Sequence, residues 1–349
     1  MLKAAESNNQ KTDLNTEKSI KNDLTPFFAF IVIMRVIATC LITNTHLNQI
    51  YPVAWLAVGG LFGDSLFFIV SGFCLAEIGN NSFFKWYGKR LFRIYPSVLL
   101  ISIIFCVIGR FQIQSVNDFL YIFLYPTKFP FIGSIVMLYV FFYVTLKIDF
   151  FHNHIPQTML VVGVCWLLLY IFLVDKSTRI DTADYYLTKF LFFEAMLYGA
   201  YIRLNTEKYK NKNKWWKWCL FILGSSLYLG SKMIIDKFNL MNLQFIIILF
   251  VFFITIFLFL SLIGIEKHIP KLGFIYSLSK FLAPLTLEIY IVQHYIISIV
   301  NNVKTLVFPL NFIIVITNIV ISAFLLNKII FYLKKIIVAL LYKLKNKKV

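Results

Sequence analysis

Long apolar segments alternate with short polar segments along almost the whole chain. Ten of the apolar segments are about 18–25 residues long, the length that an α-helix needs to cross a hydrocarbon layer of ~30 Å. This pattern predicts an all-α fold, a polytopic membrane bundle of about ten transmembrane helices. The predicted spans are roughly 27–47, 53–76, 91–110, 131–148, 157–174, 185–203, 215–235, 243–265, 281–301 and 306–333.

The segments around these spans complete the predicted organisation. Residues 1–25 are polar and carry both signs of charge, so we predict a disordered cytoplasmic tail. One transmembrane domain follows over 26–335, and a basic cytoplasmic tail over 336–349. Pro126, Pro130 and Pro156 interrupt the flanks of the fourth and fifth spans, and 118–125 is expected to form an interfacial or re-entrant piece.

Composition and charge strengthen the membrane interpretation. Of the 349 residues 60% are hydrophobic and only 14% are charged, whereas soluble domains carry about 25% charged residues. A net charge of +18 would suggest a nucleic-acid partner in a soluble chain, but here the basic residues lie between the apolar segments. With the N-terminus in the cytoplasm, roughly three quarters of the 34 Lys and Arg residues fall on the cytoplasmic side. Both termini are therefore predicted to be cytoplasmic, and nucleic acid is not an expected partner.

Two ionisable residues lie inside the first apolar segment. Arg35 and His46 are eleven residues apart, three helical turns plus about 20°, so both belong to one helical face at a separation of ~16 Å. A guanidinium in the middle of a membrane helix costs roughly 2.5–3.5 kcal/mol on insertion scales. The pair therefore indicates chemistry or transport within the membrane.

Two further patterns lie in the second span and at the start of the third. Ser71-Gly72 in the second span offers a hydroxyl and a close helix approach, although small residues of this kind also serve packing alone. Arg90 and Arg93 are i,i+3 neighbours suited to phosphate groups. The alternative for the two arginines is a positively charged membrane anchor that contacts lipid headgroups.

The ninth span carries Glu288, Tyr290 and His294. Tyr290 and His294 share a face at i,i+4, whereas Glu288 lies on a different side of the helix. Such side chains rarely face lipid, so they are expected to point into the bundle or a wet cavity, or to make structural hydrogen bonds. No His, Cys, Asp or Glu spacing predicts a metal site.

In this order, the four patterns resemble the acyltransferase-3 family of bacterial membrane O-acyltransferases. The resemblance runs from about Phe27 to Lys335 and rests on the following motifs: Arg35 with His46, Phe67-Phe68-x-x-Ser71-Gly72-Phe73, Arg90-x-x-Arg93-Ile94-x-Pro96, and Glu288-Ile289-Tyr290-x-x-x-His294. It implies a bundle of about ten helices that takes acyl-CoA from the cytoplasm and transfers the acyl group to a carbohydrate hydroxyl. It also implies that Arg35 and His46 are the residues on which activity depends.

The chain departs from the family's pattern in its fourth span, which offers Tyr139 and Tyr143 in place of the usual Trp and Glu. The acceptor class is in doubt for that reason. The chain also shows no C-terminal hydrolase-like domain, which suggests transfer within the membrane domain or through a separate partner.

These patterns lead to a hypothesis for catalysis. His46 is the expected general base or transient acyl carrier, because imidazole titrates near neutral pH. Arg35 stays protonated and suits a CoA phosphate or the thioester. Ser71, Arg90 and Arg93 are expected to bind acyl-CoA, while Glu288, Tyr290 and His294 support the acceptor side, with open roles for Asp64 and Glu194.

The expected enzyme is an O-acetyltransferase of a bacterial cytoplasmic membrane that acts on cell-surface or lipid-linked carbohydrate. Acetyl-CoA is its donor substrate, and no permanently bound cofactor is expected. A glycolipid or polysaccharide transporter or flippase, and an inactive relative that scaffolds an assembly complex, remain the alternatives. Membrane lipid is an expected partner, and homo-oligomerisation stays open.

Overall fold

The computed structural model describes residues 28–126, 128–182, 185–303 and 305–346, and this part of the chain contains helices and no strand. The all-α prediction is therefore confirmed. The predicted tail over 1–25 lies outside the described residues. The long helices are α1 Ala29–Thr45, α2 Gly60–Leu75, α3 Phe83–Val107, α4 Pro130–Lys147, α5 Ile155–Leu173, α6 Thr188–Leu204, α7 Trp215–Phe238, α8 Phe245–Gly264, α9 Phe274–Leu282, α10 Thr286–Asn301 and α11 Leu310–Asn346.

Eight stretches of the described chain are long and apolar enough to cross a membrane, with α9 and α10 counted as one. The first and sixth predicted spans form helices as well, but each has only 17 residues. A 17-residue helix is ~26 Å long, somewhat short of a ~30 Å hydrocarbon layer. The charged residues Lys189, Glu194 and Arg203 also lower the hydropathy of α6.

Proline begins two of the helices. Pro130 and Pro156 lie in the first turns of α4 and α5, where a missing N–H leaves no hydrogen bond unmade. The predicted interfacial piece is a short helix, Val116–Phe119, that continues into a π-helical turn, Leu120–Leu124. Helix α11 runs on to Asn346, so the predicted basic tail is helical as far as it is described.

The centre of the bundle is built around α1, α2 and α6. A Cβ atom on Gly72 of α2 would overlap the backbone carbonyl of Met196, and one on Gly199 of α6 would overlap that of Ile69. The predicted close approach at Gly72 is therefore real, and its partner is α6. Phe68 stacks on Phe192 beside this crossing, with 4.5 Å between ring centroids.

Helix α1 is held at its first turn by a carboxylate from a distant 3₁₀ helix, Glu266–Leu272. The backbone N–H groups of Ala29 and Phe30 donate to Glu266 at 2.7 and 2.8 Å. These N–H groups have no partner inside the helix, and a negative charge at a helix N-terminus is favourable. Glu266 thus fixes the position of the helix that carries Arg35 and His46.

Candidate active site

Arg35 and His46 occupy different parts of α1. Arg35 lies in the middle of the helix, whereas His46 caps its C-terminus, one residue beyond Thr45. The predicted span continued to residue 47, so the helix ends slightly earlier than expected. The turn after α1 is secured by Asn44, whose side-chain amide donates to the carbonyls of Leu56 and Val58 at 2.8 and 3.0 Å.

Arg35 lines a small cavity of about 140 Å³. Arg90 and Arg93 of α3 line the same cavity, and so do Ser71 of α2 and Tyr139 of α4. No Asp or Glu is among the described residues that line it. Three guanidinium groups without a carboxylate make this cavity suited to an anion such as a phosphate. We call it the guanidinium cavity.

Two of these arginines are oriented by their neighbours. The Arg90 guanidinium lies 4.3 Å from the centre of the Trp86 ring and donates to the Trp86 carbonyl at 3.0 Å. The Arg35 guanidinium lies 4.0 Å from the Cys74 sulfur, a weak contact. Arg90 is therefore held by Trp86, and both arginines line the cavity.

His46 lines a second cavity of about 590 Å³, which we call the imidazole cavity. His294 of α10 lies against His46, with 4.0 Å between ring centroids and 54° between ring planes. One turn earlier on α1 the Thr43 hydroxyl donates to Gln293 at 2.7 Å, and both side chains are buried. This hydrogen bond fixes the register of α1 against α10 and so brings the two imidazoles together.

Tyr290 and Phe131 line both cavities. The backbone N–H of Phe131 donates to the Tyr290 hydroxyl at 3.2 Å, and the two rings lie 5.1 Å apart. These side chains therefore form a thin shared wall between the three guanidinium groups and the imidazole pair. A group that passed this wall would move directly from one cavity to the other.

The structure separates some of the predicted supporting residues from the two cavities. Glu288 lines neither cavity; its carboxylate is buried and accepts a hydrogen bond from Ser97 at 2.9 Å. Glu194 lines a separate apolar groove between α5, α6 and α8. Asp64, by contrast, is buried in α2 and lines the imidazole cavity. Of the three carboxylates, only Asp64 shares a cavity with His46.

The wall of the imidazole cavity includes charged residues that the sequence patterns did not single out. Arg110, Lys128, Arg179, Asp181 and Lys232 come from loops and helix ends. No motif joins them, since they are scattered over more than a hundred positions of the sequence.

Asp181 organises part of this wall. It forms ion pairs with Arg179 at 2.7 Å and with Lys232 at 3.0 Å. Burial of the Asp181 carboxyl by itself raises its pKa, but the two neighbouring cations outweigh burial and hold the pKa below its ordinary value. The carboxylate therefore stays charged and ties the loop before α6 to α7.

Comparison with known proteins agrees with this architecture. No curated protein and no solved structure matches the chain. The family model described as an acyltransferase domain matches residues 28–328, which include both cavities and all the helices around them. The chain therefore belongs to the acyltransferase-3 family, and it is a membrane acyltransferase.

Proposed function

We propose that this enzyme transfers an acetyl group from cytoplasmic acetyl-CoA to a hydroxyl of a cell-surface or lipid-linked carbohydrate. The observation that carries the proposal is the pair of cavities that meet at Tyr290 and Phe131, one lined by three arginines and no described carboxylate, and the other containing the two imidazoles in contact. The first suits an anionic donor, and the second suits an alcohol that must lose its proton.

Acyl-CoA enters the guanidinium cavity in this proposal. Arg90 and Arg93 bind the CoA phosphates at its entrance, and Arg35 polarises the thioester. Coenzyme A is too large for about 140 Å³, so only its acyl end enters fully. The small volume supports a short acyl group such as acetyl.

The acceptor occupies the imidazole cavity. Aromatic rings of Phe105, Phe111, Phe129 and Tyr295 line part of this cavity. Aromatic walls with a few polar groups are typical of small-molecule sites and suit the apolar face of a sugar ring. The imidazoles of His46 and His294 then face the sugar hydroxyl.

The chemistry balances with these residues. The acceptor oxygen forms a bond to the acyl carbonyl carbon, its proton moves to His46, the C–S bond breaks, and CoA leaves as the thiol after taking a proton. In the covalent variant a His46 nitrogen takes the acyl group first and the acceptor then attacks the acyl-imidazole. His294 accepts or donates a hydrogen bond in either variant and so orients His46.

The orientation in the membrane follows from charge. With the N-terminus inside, the Lys and Arg residues concentrate on the cytoplasmic side, as the positive-inside rule requires of a bacterial cytoplasmic membrane protein. Arg35 then lies nearer the cytoplasm than His46, because α1 runs outward. Donor and acceptor therefore approach from opposite sides.

The test uses purified protein in detergent, radiolabelled acetyl-CoA and a membrane glycan extract. Wild type is expected to release CoA and transfer label, and His46→Ala is expected to lose both by about 10²–10⁴-fold. The matched control is His268→Ala, which removes an exposed loop imidazole that lines neither cavity. Unchanged transfer by His46→Ala would overturn the proposal, as would the absence of acetyl-CoA turnover in wild type.

A further inference from the structure

The imidazole cavity collects an unusual share of the cations on its side of the membrane. Four basic residues line it, namely Arg110, Lys128, Arg179 and Lys232. They are half of all the Lys and Arg residues that the proposed topology places outside. The positive-inside rule disfavours cations there, so their convergence on one cavity calls for a local cause.

These cations form two groups with different partners. Arg179 and Lys232 are neutralised by Asp181, and Arg179 also pairs with Asp236 at 2.7 Å. Arg110 and Lys128 make no ion pair with any carboxylate in the part of the chain that the structure describes. The first pair thus has a structural role, and the second remains available for an external anion.

The carboxylate of Asp118, in the segment between Arg110 and Lys128, is already engaged. It accepts hydrogen bonds from the Ser115 hydroxyl at 2.8 Å and from the Gln114 backbone N–H at 3.1 Å. These bonds lower the pKa of Asp118 and hold its carboxylate in the cap of a short helix. The charge of Lys128 also lowers this pKa, but Lys128 forms no ion pair with Asp118, whose carboxylate is bonded within its own turn.

Arg110 and Lys128 are also adjacent to the aromatic wall. Each immediately precedes a phenylalanine that lines the cavity, Phe111 and Phe129, and the centroids of these two rings lie 6.1 Å apart. Phe105 adds a ring 5.3 Å from Phe111. Cations at the edge of an aromatic surface can hold an oxyanion while a sugar ring rests on the aromatic face.

We propose that the acceptor is an anionic glycan, and that Arg110 and Lys128 bind a phosphate or carboxylate group close to the hydroxyl that is acylated. The inference rests on the proposed function, because it identifies the substrate class of the same cavity. It makes charge on the acceptor a condition for tight binding.

The experiment measures binding of three matched trisaccharides to the purified full-length protein: maltotriose, its 6-phosphate and its terminal uronate. At low salt the two anionic probes are expected to bind at least about tenfold more tightly than maltotriose, and the advantage should shrink in 1 M NaCl. The phosphate and uronate arms distinguish the two sources of the oxyanion. Equal binding of neutral and anionic probes by wild type would overturn the inference without the use of any variant.

A pair of variants then locates the effect. Arg110→Gln with Lys128→Gln is expected to reduce the anionic advantage to within about twofold. Lys176→Gln with Lys237→Gln is the matched control, because it removes two exposed cations that the topology also places outside but that do not line the cavity. An undiminished preference in the first double variant, with a normal unfolding transition, would contradict the assignment.

Failure of this inference can be told apart from failure of the proposed function. CoA release from acetyl-CoA in the presence of the membrane glycan extract, compared between wild type and His46→Ala, tests only the acyltransferase chemistry. Turnover that depends on His46 together with indifference to acceptor charge would remove the anionic acceptor and keep the enzyme. A lack of dependence on His46 would remove the proposed function itself.

Discussion

The guanidinium cavity and the imidazole cavity differ in how they are built. Among the described residues, the smaller one is lined only by residues of helices α1 to α4 and of α10. The larger one adds loops, helix ends and α7, and it is open enough to be lined by exposed cations. A cavity inside a set of packed helices has a fixed shape. A cavity completed by loops can change shape more readily and can therefore fit different ligands. The first therefore suits the proposed donor, and the second suits the proposed acceptor.

The largest expected effect is on the KM for acetyl-CoA, and it tests whether the guanidinium cavity binds the donor. Arg90→Gln with Arg93→Gln should raise the KM for acetyl-CoA by about 100-fold or more, because two charge-assisted hydrogen bonds to phosphate are lost. Lys85→Gln, on an exposed position of the same helix, is the control. Titrating acetyl-CoA in the CoA-release assay checks this, and an unchanged KM would place the donor elsewhere.

A smaller effect is expected at the second imidazole. His294→Ala should lower kcat by about 10–100-fold while the KM for acetyl-CoA stays constant, because the proposed role of His294 is to orient His46, and it lines the imidazole cavity but not the guanidinium cavity. His152→Ala provides a control outside both cavities. If KM for acetyl-CoA rose and kcat did not fall, the division of labour between the cavities would be wrong.

The shared wall offers a test of how separate the two cavities are. Tyr290→Ala removes most of the side chain that lines both, so we expect water to reach the thioester and acceptor-independent hydrolysis of acetyl-CoA to rise severalfold relative to transfer. Tyr290→Phe keeps the ring and removes the hydroxyl that accepts from the Phe131 N–H, a hydrogen bond worth about 1 kcal/mol in unfolding free energy. Equal partition between hydrolysis and transfer in all three proteins would show that the wall does not isolate the donor.

Much of this arrangement follows from the sequence, because it depends on spacing within single helices. The i,i+4 spacing of Tyr290 and His294 correctly predicted a common face, and both residues line the imidazole cavity. The i,i+3 spacing of Arg90 and Arg93 likewise predicted that both would lie on one face, and both line the guanidinium cavity. Glu288 was predicted on a different side of its helix, and its carboxylate accepts a hydrogen bond from Ser97 there.

Contacts between distant segments could not be predicted in this way. The contact of His46 with His294 depends on the register of α1 against α10, which the Thr43–Gln293 hydrogen bond fixes. Arg110 and Lys128 lie in turns whose path depends on tertiary packing. The role of Glu194 stayed open in the sequence for the same reason, and the structure places it in an apolar groove away from His46.

The smallest expected effect is on the pH dependence of stability, and it concerns the ion pairs of Asp181 in the wall of the imidazole cavity. Asp181 has a lowered pKa, so its ion pairs stabilise the fold fully above the ordinary Asp pKa of ~3.9 and progressively less as pH falls through the lower folded value. Asp181→Asn should cost about 1–3 kcal/mol at neutral pH and should reduce the loss of melting temperature on acidification. Thermal unfolding from pH 7 to pH 3 measures both, and parallel curves for the two proteins would contradict the assignment.

The glycine crossing between α2 and α6 bears on what can move during turnover. Gly72 and Gly199 bring two backbones into direct contact, and α2 also carries Ser71 and Asp64, one in each cavity. Helices in such contact cannot slide or rock past each other without steric overlap. Alternating-access transporters require this kind of motion between their two halves. Under the proposed function, α2 and α6 therefore stay fixed to each other, and it is the acyl group that moves between the two cavities.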